Sequence, residues 1–169
     1  MIFNNLRNVY DDLCLAKRKN RYFCSSYFTN LINVFMQGNF DKMKILVLTL
    51  HDDCCGPMAA AFLRDYSQKL EAVSAGIHPA ENVQPLAVTA MKECLVDLSA
   101  ARPDDFENYD LSVFDFILLI GVAEEFRQID AAKTVFLNPE IVACDLDSMR
   151  LLRDWIKNEV FIIYKTHFR

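Results

Sequence analysis

His51, Asp52, Asp53, Cys54 and Cys55 stand consecutively, five side chains that can each ligate a metal, carry a proton or act as a nucleophile. Metal ligands usually come from separated positions that can surround an ion, and consecutive residues seldom do this alone. The run therefore reads as a solvated acidic turn followed by a buried thiol at a helix start, with no metal assigned. One alternative stays open. Two thiols at a helix N-terminus can serve as a redox or soft-metal handle, because the dipole favours thiolate. Asp52 and Asp53 oppose this with whole charges against a partial one, so the pair is expected to be no more reactive than ordinary exposed thiols.

A second spacing has chemical potential. Cys144 and Arg150 bracket a Cys-x5-Arg stretch with Ser148 inside it. That stretch holds no glycine to let successive amides turn inward, and it contains Asp145 and Asp147. It also precedes the last helix, so it reads as a chance match. Cys94 is expected in the core and His78 in a surface loop. Arg64, Arg127, Arg150 and Arg153 could meet an anion by charge alone, and solvated helix surfaces are expected for them.

The elements that must position these residues alternate. Ile45 to Leu50 is a short apolar run, as expected for a strand buried on both faces of a parallel sheet. The loop His51 to Gly56 follows, and Pro57 suits the first position of a helix bearing Met58, Ala59, Phe62, Leu63 and Tyr66 on one face. Leu70 to Ala75 reads as a second strand closed by Gly76. Val83, Leu86, Ala87, Ala90, Met91, Cys94 and Leu95 mark an amphipathic helix. Phe114 to Ile120 and Thr134 to Leu137 are further strands, the latter stopped by Asn138-Pro139. Asp147 can cap a final helix with Leu151, Leu152, Trp155, Ile156, Val160 and Ile163 inside. This order predicts an α/β three-layer sandwich with a central parallel sheet of about four strands. Ligands in such sheets bind beyond the carboxyl ends of the strands, which directs attention to the loop after the first strand.

Composition bounds the rest. The 169 residues suffice for one domain with a core, and a hydrophobic share of 53% excludes disorder as the whole answer. No apolar run reaches the roughly 18 residues of a membrane span, and no secretory signal order is present. Six cysteines are too few for a disulfide scaffold, so a reduced, cytoplasmic chain is expected. The net charge of −5 argues against nucleic acid as the main partner. Residues 1–42 differ from the remainder: they carry +3 of that balance, seven asparagines, Cys14 and Cys24, and no sustained period. They read as an extension outside the domain, from a start called too early, or else as a basic arm; the domain is expected to span 43–169.

The stretch KILVLTLHDDCCGPMAAAFLRD, with VSAGIHPAENVQPLAVTAMKECLVDLS after it, resembles the low-molecular-weight protein tyrosine phosphatases and the thioredoxin-coupled arsenate reductases of the same fold. Met58-Ala59, Ser74-Ala75-Gly76, Val96-Asp97-Leu98-Ser99 and Phe114-Asp115 carry the likeness. The resemblance implies that Thr49 stands where the family has its nucleophilic cysteine and Cys54 on the second loop cysteine of many members. It further implies that Cys55 replaces the phosphate-binding arginine and Gly56 the serine that assists the thiolate. Asn138 takes the place of the general-acid aspartate, and Gly121 that of the reductases' later cysteine.

A threonine hydroxyl does not ionise as a cysteine thiol can, and Asp52 and Asp53 would repel a phosphate. The expectation is therefore a degenerate member with no catalytic residue and no cofactor. It would have a binding or regulatory role, with His51, Asp52 and Asp53 meeting a protein partner; the oligomeric state is left open. The alternative is an active phosphatase or reductase-type thiol enzyme using Cys54 or Cys55.

Overall fold

The computed structural model describes residues 42–122 and 134–168. The expectations for residues 1–41 and for Arg127 lie outside them. Four strands form one parallel sheet: β1 (Met43–Thr49), β2 (Leu70–Gly76), β3 (Phe116–Ile120) and β4 (Thr134–Leu137), in the order β2-β1-β3-β4. Ile45 pairs with Ala72 on one side and Phe116 on the other, so β1 is central, and its residues Ile45 to Leu48 are wholly buried. A continuous apolar run is what a strand covered on both faces requires.

Alternation then divides the core. Ile45, Val47, Phe116, Leu118 and Ile120 join a cluster with helices α1 (Cys55–Tyr66), α2 (Pro85–Lys92) and α3 (Leu146–His167), including Phe62, Met91 and Ile156. Leu46, Leu48, Ile117 and Leu119 face the other way, against Phe106, Tyr109, Leu111 and Phe114. The described cover on that face includes two single 3-10 turns, Phe106–Asn108 and Leu111–Val113, each begun by an aspartate side chain accepting an amide N–H. Among the described residues, no helix is long and apolar enough to cross a membrane.

Several boundaries differ from the sequence expectation, each for a local reason. β1 stops at Thr49, and Leu50 is exposed, because the chain turns at Asp52, whose φ is 51°. Pro57 is the third residue of α1 rather than the first; Cys55 is first and Cys54 precedes it. Proline is tolerated there because the first four helical amides have no acceptor within the helix. α2 runs only from Pro85 to Lys92 and leaves Val83, Cys94 and Leu95 outside. Val96 N–H reaches Met91 O at 3.1 Å and Leu95 N–H reaches Lys92 O at 3.0 Å, a Schellman closure. Leu95 takes the left-handed position usually given to glycine, with φ 62°, and is 97% exposed instead of lying on the apolar face. Cys94 is only half-buried.

β3 begins at Phe116, since Asp115 is engaged with Lys44: Lys44 N–H donates to Asp115 Oδ2 at 2.8 Å and Asp115 N–H to Lys44 O at 2.9 Å. Asp145, not Asp147, caps α3. Its carboxylate accepts Ser148 N–H at 2.8 Å while Ser148 Oγ accepts Asp145 N–H at 3.0 Å, a capping box. Leu152, Ile156, Val160 and Ile163 lie inside as expected, whereas Leu151 is exposed.

Candidate functional site

The carboxyl end of β1 delivers Thr49 to the start of a tight loop. Thr49 is 5% exposed, and its Oγ1 accepts the Asp52 amide at 2.8 Å. The loop is tied down from the far side by its own carbonyls. Thr49 O, Leu50 O, His51 O and Asp53 O accept the amides of Ile77, His78, Ala80 and Gln84 at 2.8–3.0 Å. Bonding these carbonyls to the 77–84 segment fixes the backbone of the loop that leads into α1.

Asp52 is not solvated, as the sequence suggested, but fully buried, because its left-handed backbone turns the side chain inward. There it lies against Gly56 and Gly76, positions where any Cβ would meet Asp52 atoms. Its Oδ2 accepts the Asp104 amide at 3.2 Å, while Oδ1 meets no hydrogen-bond partner among the described residues. Burial pushes this carboxyl up to about 7, against the opposing pull of the Ser74 side chain and the Asp104 amide. A carboxylate left without full pairing in the interior takes up a proton rather than stay charged.

Asp104 itself is held below the usual carboxylate range by the Tyr109 hydroxyl at 2.8 Å and by Asn108 Nδ2 at 2.8 Å. The Tyr109 hydroxyl in turn is pushed up to about 12 by burial and by its bond to Asp104. Sequence reasoning missed Asp104 and Tyr109. They lie far along the chain, and no local signal ties them to the loop; Ser74 and Gly76 were seen only as markers of the fold.

Asp53 and His51 face differently. Asp53 is half-buried, paired through Oδ2 with Gln84 Nε2. His51 is exposed, with Nδ1 hydrogen-bonded to His78 O at 2.9 Å, and His78 is exposed as expected. Cys54 and Cys55 are both half-buried, and the Cys54 thiol donates to Cys55 Sγ at 3.7 Å. That bond and burial push the Cys54 thiol up, whereas receiving the same bond draws Cys55 down.

A cavity of about 160 Å3 opens at this point, lined by Thr49, Leu50, His51, Asp53, Cys54, Cys55, Ile120, Gly121 and Pro139. Thr49, Cys54, Cys55 and Gly121 are thus brought together. Asn138 stays exposed, with its neighbour Pro139 supplying the wall, and Gly56 is buried behind the loop under Asp52. Among the described residues, no lysine or arginine lines the cavity, and no group of three or more His, Cys, Asp or Glu side chains can hold a metal ion.

The second cysteine spacing does not form a cradle around its arginine. Cys144 is exposed, and Arg150 is directed to Glu93 and to Asp147, the latter at 2.7 Å. Arg153 corrects the expectation of a solvated surface residue. It is 8% exposed, donates to Ala90 O at 2.8 Å and pairs with Glu93 at 3.1 Å. It therefore ties α2 to α3.

No curated protein matches the chain. Solved structures show the fold. An arsenate reductase in its phosphate-binding state is similar with a TM-score of 0.63 at 21% identity, over 73% of this chain and 97% of that one. The YwlE arginine phosphatase from Geobacillus stearothermophilus is similar with a TM-score of 0.61 at 20% identity, over 73% and 91%. The tyrosine phosphatase Wzb from Escherichia coli K30, in complex with sulphate, gives 0.61 at 15% identity, over 72% and 96%. A family profile, low molecular weight phosphotyrosine protein phosphatase, matches residues 44–158. The chain belongs to the low molecular weight phosphotyrosine protein phosphatase family.

Proposed function

We propose that this chain is a non-catalytic member of its family that uses the altered loop to bind a protein partner. The observation that carries the reading is the lining of the cavity at the end of β1. Among the described residues it offers a threonine hydroxyl at the nucleophile position, Asp53 as its one carboxylate and no lysine or arginine. A phosphoryl group needs positive charge or amides on its oxygens and a nucleophile that is substantially ionised. The Thr49 oxygen already accepts the Asp52 amide. A fixed negative charge beside the helix start offsets a dipole worth about half a charge.

The exposed His51 and half-buried Asp53 present polar groups at the rim, which suits a polar protein surface better than a small anion. The reading places the protein in the cytoplasm, where vicinal thiols remain reduced. A thiol enzyme working through Cys55 draws support from its lowered thiol alone. Titration with inorganic phosphate tests the loop directly: millimolar phosphate is expected to give neither binding heat nor a rise in Tm. Saturable binding that Asp53→Asn strengthens and Cys55→Glu abolishes would show a working anion site.

A further inference from the structure

The vicinal thiols stand together at the cavity beyond β1. Cys54 and Cys55 Sγ are 3.7 Å apart and both line the cavity. A trans peptide holds adjacent Cα atoms about 3.8 Å apart, below the ~4.4–6.8 Å that disulfides usually span, so a direct bond would be strained. The observed separation instead leaves room for one atom bound by both sulfurs. Thiolates select soft centres. A linear two-coordinate cation needs its sulfurs on opposite sides, which neighbouring side chains lying together do not provide. A tetrahedral ion needs further ligands, and none are grouped here among the described residues. A pyramidal trivalent centre fits, with two positions taken by sulfur and the third directed into the cavity. Leu50, Ile120 and Pro139 make part of that wall apolar, which suits an organic substituent.

We propose that the Cys54–Cys55 dithiol is a capture site for trivalent thiophiles of the organoarsenic(III) class, with the organic substituent seated between Leu50, Ile120 and Pro139. The site is independent of whether the loop turns over phosphate. With hydrated phenylarsine oxide, two As–OH bonds break and two As–S bonds form. Each hydroxyl leaves with one thiol proton as water, and arsenic stays trivalent throughout. Cys55, whose sulfur already accepts the Cys54 thiol proton as a hydrogen bond, attacks first; Cys54 then closes the ring.

The test treats the full chain with phenylarsine oxide in excess monothiol, followed by intact mass measurement and peptide mapping. One phenylarsenic group per chain is expected, on the peptide holding both Cys54 and Cys55, resistant to monothiol and removed by dithiothreitol. Cys54→Ala or Cys55→Ala should each weaken retention about a hundredfold, because the second bond is intramolecular. Cys144→Ala should leave it unchanged. Mapping of the wild-type adduct to Cys14, Cys24, Cys94 or Cys144, or its ready removal by monothiol, would overturn the proposal without any variant having to fold.

Discussion

Gly56 and Asp52 share one space: a Cβ at position 56 would collide with Oδ1 of Asp52. The missing side chain at the start of α1 is thus matched to the extra carboxylate buried in the loop. Gly56→Ala should cost about 2 kcal/mol, as overpacking of a filled site does. In an Asp52→Gly background, which tolerates the left-handed backbone and removes the obstacle, the same change should cost far less. Urea unfolding of the four proteins measures the coupling; equal costs in both backgrounds would show that the two residues are independent.

The buried carboxyl should also make stability depend on pH. Asp52 holds its proton up to about 7 when folded and loses it near 3.8 when unfolded. Between those values the folded chain binds more protons, so Asp52's contribution falls as pH rises from about 4 to 7 and is level above that. The full swing is at most about 4 kcal/mol, at 1.36 kcal/mol per pKa unit. Asp53, Asp104 and Tyr109 are the titratable groups around it, and Asp104, held low, stays charged through this window. Asp52→Asn should therefore gain stability relative to wild type between pH 5 and pH 8, measured by urea unfolding. Parallel pH profiles would mean that the carboxyl is not protonated in the fold.

Arg150 and Arg153 pair with the same carboxylate but differ in burial. The Arg153 side chain is 9% exposed and also serves the Ala90 carbonyl, whereas that of Arg150 is 39% exposed. Arg153→Met should cost about 2 kcal/mol, because it leaves a carbonyl at the α2–α3 contact without its donor. Arg150→Met should cost clearly less, because exposed ion pairs contribute little. Thermal or urea unfolding ranks the two, and the reverse order would contradict this account of the joint.

The fold was legible because its signals are local and repeated. The apolar runs at Ile45–Leu48 and Phe116–Ile120 have the form that burial on both faces demands. The boundaries were less legible, since they depend on caps that composition disguises. Leu95 closes α2 in a glycine's conformation, and Asp145 outcompetes Asp147 through its reciprocal bonds with Ser148. At the site, sequence placed Thr49, Cys54 and Cys55 in one loop, and the structure brings them to one cavity. It could not place Asp52 inside. That burial depends on a single left-handed residue and on Asp104, 52 positions away in the chain.

Turnover of a small aryl phosphate tests the non-catalytic reading most directly, assayed on wild type beside Cys54→Ser, Cys55→Ser and the double variant Thr49→Cys with Cys55→Arg. With an already hydrogen-bonded threonine at the nucleophile position and, among the described residues, no lysine or arginine on the cavity wall, wild type and both single variants should remain at the uncatalysed background. Steady wild-type turnover that disappears in Cys54→Ser or Cys55→Ser would contradict the account and identify the nucleophile.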